Sequence, residues 1–239
     1  MWMTHSGHLL ARPPDRPDDV IDYIRRSGYR EEFIVSDDFS PRFLASLMRA
    51  GFLVMSVRLE ECDGGAGAAV AQETFILLPK HHLTRSVLHF DRLRTSRSVR
   101  ALLPRCQLRA DADYDAIVQK CIDIHGDDWL TPPLVDSLRR LRAQGHPAVR
   151  PSSFALYKDG ALVAGEFGVS CGRVYTSYSG YHEQNSCGRA QMILTARHLR
   201  ERGYAFWDLG MPLDYKYTLG AEDLPLSDFV AAFRAARAP

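Results

Sequence analysis

Two carboxylates stand where strand-like patterns would hold them. Asp208 closes the run Phe206-Trp207-Asp208, just before the turn Gly210-Met211-Pro212. A carboxylate at a strand end can orient or deprotonate an amine in a neighbouring cleft, or it can simply cap the turn. Glu166 interrupts the apolar run from Ala161 to Ser170. Alternation on a half-buried sheet turns it either to solvent or towards a cleft, where it would hold an incoming ammonium. The aromatic row Tyr175, Tyr178 and Tyr181 suits core packing better than base stacking, and Tyr215-Lys216-Tyr217 reads as a loop able to close on a ligand. The five cysteines, Cys62, Cys106, Cys121, Cys171 and Cys187, are odd in number and irregular in spacing. With no C-x-x-C and no Cys/His set, neither a disulfide framework nor a metal site is expected.

Charge gives a second lead. Lys and Arg number 30 against 29 Asp and Glu, a net charge of +1 over 239 residues, which taken whole argues against a polyanionic partner. Residues 80–109 hold Lys80, Arg85, Arg92, Arg94, Arg97, Arg100, Arg105 and Arg109 against Asp91 alone, a local charge of +7 that leaves −6 for the rest. Arginine's planar fork grips phosphate through two nitrogens, so such a segment can track a nucleic-acid backbone. A solvated arginine face in an arginine-biased chain would look the same.

These groups need elements to position them. Asp18 to Ser27 fits a short helix ended by Gly28, and Ser40-Pro41 opens a second helix ended by Gly51. Residues 1–16 read as a loose arm, and residues 61–71, rich in Gly and Ala, as a flexible loop near a boundary. Beyond it come a strand at Thr74–Leu78, the arginine-rich stretch, a helix from Asp113 to about Ile124, and a helix from Thr131-Pro132 to Gly145. A hairpin turning at Asp159-Gly160 joins strands 154–158 and 161–170, with a third strand at 173–179. A helix at 188–202, a strand at 205–209 and a last helix from Ser227 complete the chain. The pattern predicts a mixed α/β (α+β) protein compatible with an acetyltransferase-like (GNAT-like) fold. A small N-terminal domain is expected over 1–70 and the larger domain over 71–239. No run is long enough to cross a bilayer and the first fourteen residues lack a signal-peptide pattern, so a cytoplasmic protein without a membrane partner is expected.

Several segments in this order resemble the leucyl/phenylalanyl-tRNA–protein transferase family. They are Trp129-Leu130-Thr131, the Leu141 to Gly145 helix end, the hairpin Asp159-Gly160-Ala161-Leu162-Val163-Ala164-Gly165-Glu166-Phe167-Gly168-Val169, and Leu219-Gly220-Ala221 followed by Pro225. Ser36 to Pro41 with Gly51-Phe52, and Leu93 to Ser98, extend the likeness over about residues 32–233. The resemblance implies transfer of an amino acid of the Leu, Phe or Met type from aminoacyl-tRNA to the N-terminal α-amine of an acceptor protein beginning with Arg or Lys, in N-terminal-residue-dependent degradation. It implies no metal and no diffusible cofactor.

Carried over position by position, the resemblance makes Asp208 catalytic, with Glu166 as a second candidate because it replaces an apolar residue. It makes Trp129 a stacking surface for the terminal adenosine, and places Tyr178, Ser179, Tyr181 and Gly210 in the substrate pocket. The family's relay Gln falls on Gly210, which has no side chain to relay a proton. For tRNA, Arg85, Arg94, Arg97, Arg100 and Arg189 are the expected contacts, Arg189 at a helix start where the dipole also favours phosphate. Two other readings remain: an acetyl-CoA-dependent N-acetyltransferase, disfavoured by one residue too many between Gln184 and Gly188, and a non-catalytic tRNA- or protein-binding relative.

Overall fold

The structure is a computed structural model that describes residues 2–59 and 73–238. In chain order its elements begin with β1 (Trp2–Met3), β2 (Leu9–Leu10), α1 (Pro17–Ser27), α2 (Pro41–Ala50), β3 (Leu53–Leu59), β4 (Thr74–Lys80) and β5 (Thr84–Leu88). Next come α3 (Arg97–Leu102), β6 (Cys106–Ala110), α4 (Tyr114–His125), α5 (Pro132–Gln144), β7 (Val149–Lys158), β8 (Ala161–Cys171) and β9 (Val174–His182). The chain ends through α6 (Cys187–Glu201), β10 (Phe206–Gly210), α7 (Asp214–Leu219), β11 (Glu222–Pro225) and α8 (Leu226–Arg237). It forms two units, Met1–His81 with Gly126–Ala143, and His82–His125 with Gln144–Pro239.

In the first unit the helix signals work as local chemistry requires. Ser40 Oγ accepts the Phe43 N–H at 3.3 Å, Pro41 opens α2, and Gly51 closes it at φ 97°; such a cap contributes about 1 kcal/mol. β3 and β4 pair antiparallel from Leu53↔Lys80 to Leu59↔Thr74. Ser56 binds the following segment, its N–H reaching the Trp129 carbonyl at 3.0 Å and its hydroxyl the Thr131 hydroxyl at 2.7 Å. The strand at 74–80 and the helix after Thr131 therefore group with the first unit, not with the larger domain expected from residue 71. The boundary drawn at residue 70 and the Gly/Ala stretch at 61–71 lie outside the described residues. Residues 1–16 are not a loose arm: Leu9 and Ala11 are buried, and the Ala11 and Val35 N–H groups bond the Val35 and Leu9 carbonyls.

The second unit is built on a seven-stranded mixed sheet in the order β11-β5-β10-β9-β8-β7-β6. Asp159 and Gly160, at φ 51° and 86°, make the primed turn that joins β7 to β8. Every neighbouring pair is antiparallel except β9 and β10. That parallel ladder stops at Asp208↔Thr176, although β9 runs on to His182. Beyond the last rung β9 also carries a bulge, where Phe167 faces Ser179, Gly168 faces Ser177, and Tyr178 is the extra residue. Bulges of this kind bend a strand away from its neighbour. Phe154, Tyr175 and Trp207 pack in one core with α6 residues Ala190, Ile193 and Ala196. Phe206, on the opposite side of β10, meets Phe229 of α8. The sheet is thus covered on both faces.

The arginine-rich stretch is no surface arm throughout. Its residues 84–88 form β5, an interior strand between β11 and β10, and its Val87 and Leu88 are fully buried. The segment expected as a closing loop at 215–217 is part of α7.

Candidate active site

Asp208 is completely buried and held on every side. Arg85 grips it with both arms of the guanidinium, Nε to Oδ1 at 2.9 Å and Nη2 to Oδ2 at 2.8 Å. The Thr176 hydroxyl donates to Oδ2 at 2.9 Å and the Gly210 N–H to Oδ1 at 3.0 Å. The Phe229 ring lies over the guanidinium, 4.5 Å from its carbon. This corrects two sequence expectations. Arg85 does not face a tRNA, because it has no exposed surface and its fork is spent on Asp208. Asp208 does not reach a substrate amine, because protein donors occupy both its oxygens; it is a positioning residue for the turn after β10.

That turn has a second anchor. The buried Lys216 Nζ donates to the Leu209 carbonyl at 2.5 Å and to the Met211 carbonyl at 2.6 Å. Burial pulls its amine down to about 8, with Arg85 adding to the effect and Asp208 opposing it. Between these carbonyls Gly210 sits at φ 79°, a left-handed conformation that suits glycine and disfavours a side chain. No local pattern marks Lys216 as a buried group, because a lysine between two tyrosines reads as surface.

Glu166 lies on the other face of the sheet. Trp207 and Asp208 are consecutive in β10 and point oppositely. The Trp207 indole donates to Ser177 Oγ at 2.8 Å, and Ser177 donates to Glu166 Oε2 at 3.2 Å. Glu166 is 5% exposed, and its Oε1 has no hydrogen-bond partner among the described residues. Burial raises its carboxyl to about 8, moderated by the Ser177, Gln191 and Tyr175 side chains. It does not face solvent, the commoner expectation for a polar residue in such a strand. Ser177 is the first β9 residue beyond the last rung shared with β10, so this carboxyl lies at the parting of the two parallel strands.

The remaining expected pocket residues are spread out. Tyr178 is half-buried and stacks on Phe167, centroids 6.1 Å apart. Ser179 faces Phe167 across the ladder and hydrogen-bonds the Cys121 thiol, whose burial lifts it to about 12. Tyr181 is buried beside Gly165, where an added Cβ would meet both its ring and Ile117 of α4. Phe167 also meets Tyr114 of α4, so these groups belong to the α4 side of the sheet and not with Glu166. Trp129 lies in the first unit, and its carbonyl is held by Ser56. Cys106, Cys121, Cys171 and Cys187 are free thiols. Among the described residues no group of three or more His, Cys, Asp or Glu is placed to hold a metal ion.

The other arginines sort by partner. Arg92 pairs with Glu222, and Arg105 with Asp159. Arg109 bonds Gln107 and covers the Tyr157 ring. Arg94, Arg97 and Arg100 are exposed and form no ion pair among the described residues. Arg189 of α6 donates to the Thr218 hydroxyl at 2.7 Å, while the Arg94 N–H bonds the neighbouring Leu219 carbonyl at 2.8 Å. The two arginines flank the end of α7, and α3, which carries Arg97 and Arg100, packs on α6.

The sequence model of the leucyl/phenylalanyl-tRNA protein transferase family matches residues 87–234. That span holds well over half the chain, including Asp208, Glu166 and the free arginines. The chain belongs to this family. A leucyl/phenylalanyl-tRNA–protein transferase from Pseudomonas fluorescens is 27% identical over 150 residues, 61% of this chain and 65% of that protein. One from Aromatoleum aromaticum is 29% identical over 161 residues, 65% of this chain and 62% of that protein. The chain thus spans slightly less than two thirds of the length of these relatives. Among solved structures, FemX is 10% identical, covering 87% of this chain and 74% of its own at a TM-score of 0.42. L-PGS from Bacillus licheniformis is 11% identical, covering 89% and 68% at 0.39. Both structural likenesses are distant.

Proposed function

We propose that this protein transfers an amino acid from aminoacyl-tRNA to the N-terminal α-amine of an acceptor protein. The observation that carries the reading is the family match over 87–234, which takes in the whole strand-parting region. Two parallel strands that separate where one of them is bulged suit an acetyltransferase-like arrangement, in which an acyl group lies in the gap. The reaction is aminolysis of an activated ester. The α-amine attacks the ester carbonyl, the ribose 3′-oxygen leaves, and one proton must depart from the amine, whose ordinary pKa is about 8. Near neutral pH a usable fraction is already unprotonated, so the site's main work is placement.

In this reading Asp208, Arg85 and Lys216 fix the turn 209–211 at the end of β10. The family's relay Gln is replaced by Gly210, so no side chain at that position moves the proton. Arg94, Arg97, Arg100 and Arg189 bind the tRNA backbone. An acceptor with a basic first residue, a role in protein degradation and a cytoplasmic setting belong to the same proposal. No described helix is long and apolar enough to cross a membrane.

The test is direct. Incubation with tRNA bearing a radiolabelled amino acid and a peptide starting with Arg should move label to the peptide, and an Nα-acetylated peptide should receive none. Label from acetyl-CoA instead, or charged-tRNA binding with no transfer to any peptide, would replace this reading.

A further inference from the structure

Four large apolar side chains, Met211, Leu213, Tyr215 and Tyr217, are exposed along the short stretch from the turn after β10 through α7. Apolar surface gathered in this way marks a face that meets something. The two tyrosines lie on different sides of α7. Tyr217 and Asp214, three positions apart, share one side. There the Tyr217 hydroxyl donates to Asp223 Oδ2 at 2.6 Å, so two acids frame it. Tyr215 and Thr218 share the other side. The Thr218 hydroxyl donates to the Tyr215 carbonyl at 2.6 Å and accepts from Arg189 Nη2 at 2.7 Å. The stem of Arg94 runs past the same helix end, where a Cβ added at Gly220 would lie 3.6 Å from its Cγ. The Tyr215 ring centroid is 5.7 Å from Lys216 Nζ, the group bound to the Leu209 and Met211 carbonyls, so the ring stands beside the turn that ends β10. Burial raises its hydroxyl, with Glu166 adding to the effect, yet the residue is 47% exposed. The polar end is tucked towards the strand parting, and what stays open is ring.

We infer that Tyr215 is a stacking surface for an unpaired base at the 3′ end of the donor tRNA, with Arg189 and Arg94 holding the phosphates beside it. The inference rests on the proposed function and says where the single-stranded part of its donor lies. A base offers a flat face only where it is unpaired, and an aromatic ring beside arginines takes that face whatever the base. The same arginines select RNA over the other macromolecule of the reaction, because they would repel an acceptor with a basic first residue. Asp214 and Asp223 keep a phosphate chain off the Tyr217 side.

The experiment uses the full chain and an RNA hairpin ending in unpaired ACCA, beside the same hairpin made blunt, with binding read by fluorescence anisotropy. The overhang should tighten binding about tenfold, the scale of one stacked base. Tyr215→Leu should remove that advantage, Tyr215→Phe should keep it, and Tyr217→Leu should leave it as it is. Binding of the blunt hairpin, carried by the arginines, checks that each variant is folded. A second measurement reads the stack itself: 2-aminopurine placed in turn at each unpaired position should be quenched on binding, and Tyr215→Leu should lift the quenching at one of them. Equal binding of the two hairpins by the parent, or an advantage that survives Tyr215→Leu, is lost in Tyr215→Phe or falls as far in Tyr217→Leu, overturns the inference and leaves the proposed function standing. So does a Tyr215→Leu variant that binds both hairpins as the parent does but has a raised KM for the acceptor peptide, since the face would then belong to the acceptor. Failure of the parent to bind either hairpin overturns the aminoacyl-tRNA reading and the inference together.

Discussion

The end of β10 and the middle of β8 each bury one acid, on opposite faces of one sheet, and the two are solved differently. Asp208 is matched by a guanidinium, a hydroxyl and a backbone N–H, all supplied by the protein. Glu166 is met by neutral side chains, Ser177 with Gln191 and Tyr175, and by no cation among the described residues. A fully matched buried acid is architecture, since nothing remains for a ligand to bind. An acid met only by neutral groups is buried at a cost, and it answers that cost by keeping its proton up to about 8. Burial alone therefore does not tell the two acids apart; the charge of their partners does.

The contrast can be broken by substitution. Asp208→Ala leaves Arg85 buried without its counter-charge and should cost about 3–5 kcal/mol, read from the urea midpoint. Replacing both Arg85 and Asp208 with apolar residues should recover much of that loss; a double variant as unstable as the single would show that the pair does more than balance charge. Lys216→Met strands two buried carbonyls and should cost about 2 kcal/mol. Its pH signature is also distinct. Because the folded amine titrates near 8 and the unfolded one at its ordinary higher value, the unfolded chain binds more protons between them, and this lysine makes stability rise with pH across that window. The methionine variant should lose that rise.

Glu166→Gln should do the reverse of Asp208→Ala. With the carboxyl raised to about 8, the folded state holds a proton that the unfolded state has lost, from the ordinary carboxylate range up to about 8. The stability linked to this proton is complete at low pH and is lost as pH climbs through that window. Glu166→Gln should flatten the slope and match or exceed the parent's stability at pH 8, measured by thermal melts from pH 5 to 9. An unchanged slope would mean that the two acids are matched after all. The smallest effect on folding belongs to the double reversal Arg94→Glu with Arg97→Glu, which should leave the melt within about 0.5 kcal/mol. It should nevertheless weaken tRNA binding and reduce the salt slope by roughly two phosphate contacts. Arg105→Glu should change the slope less, since Asp159 already occupies that arginine.

What the sequence made legible were the locally encoded features. Ser40-Pro41, Gly51, Asp159-Gly160 and the apolar runs act on neighbours a few residues away, and their helices and hairpin stand where expected. Thr84-Arg85-Ser86-Val87-Leu88 defeated the reading because two of its five residues look like surface, and the group that neutralises Arg85 lies 123 residues further on. The same limit hid Lys216 in α7 and left Glu166 suspended between solvent and cleft, since no local pattern states which face of a sheet a distant helix will cover. The arginine cluster was visible as charge but not as partners. Only partners separate Arg94, Arg97 and Arg100 from the arginines already engaged.

The separation between Arg85 and Asp208 has a temporal meaning during synthesis. At about 5–20 residues per second, the guanidinium is made roughly ten seconds before its carboxylate. Through that interval β5 lacks both of its sheet neighbours, β10 and β11, which follow much later in the chain. An arginine in the middle of such a strand stays hydrated and discourages the strand from pairing edge to edge with another nascent chain. The residue that anchors the finished sheet is therefore, for as long as the sheet is unfinished, the one that keeps its future centre in solution.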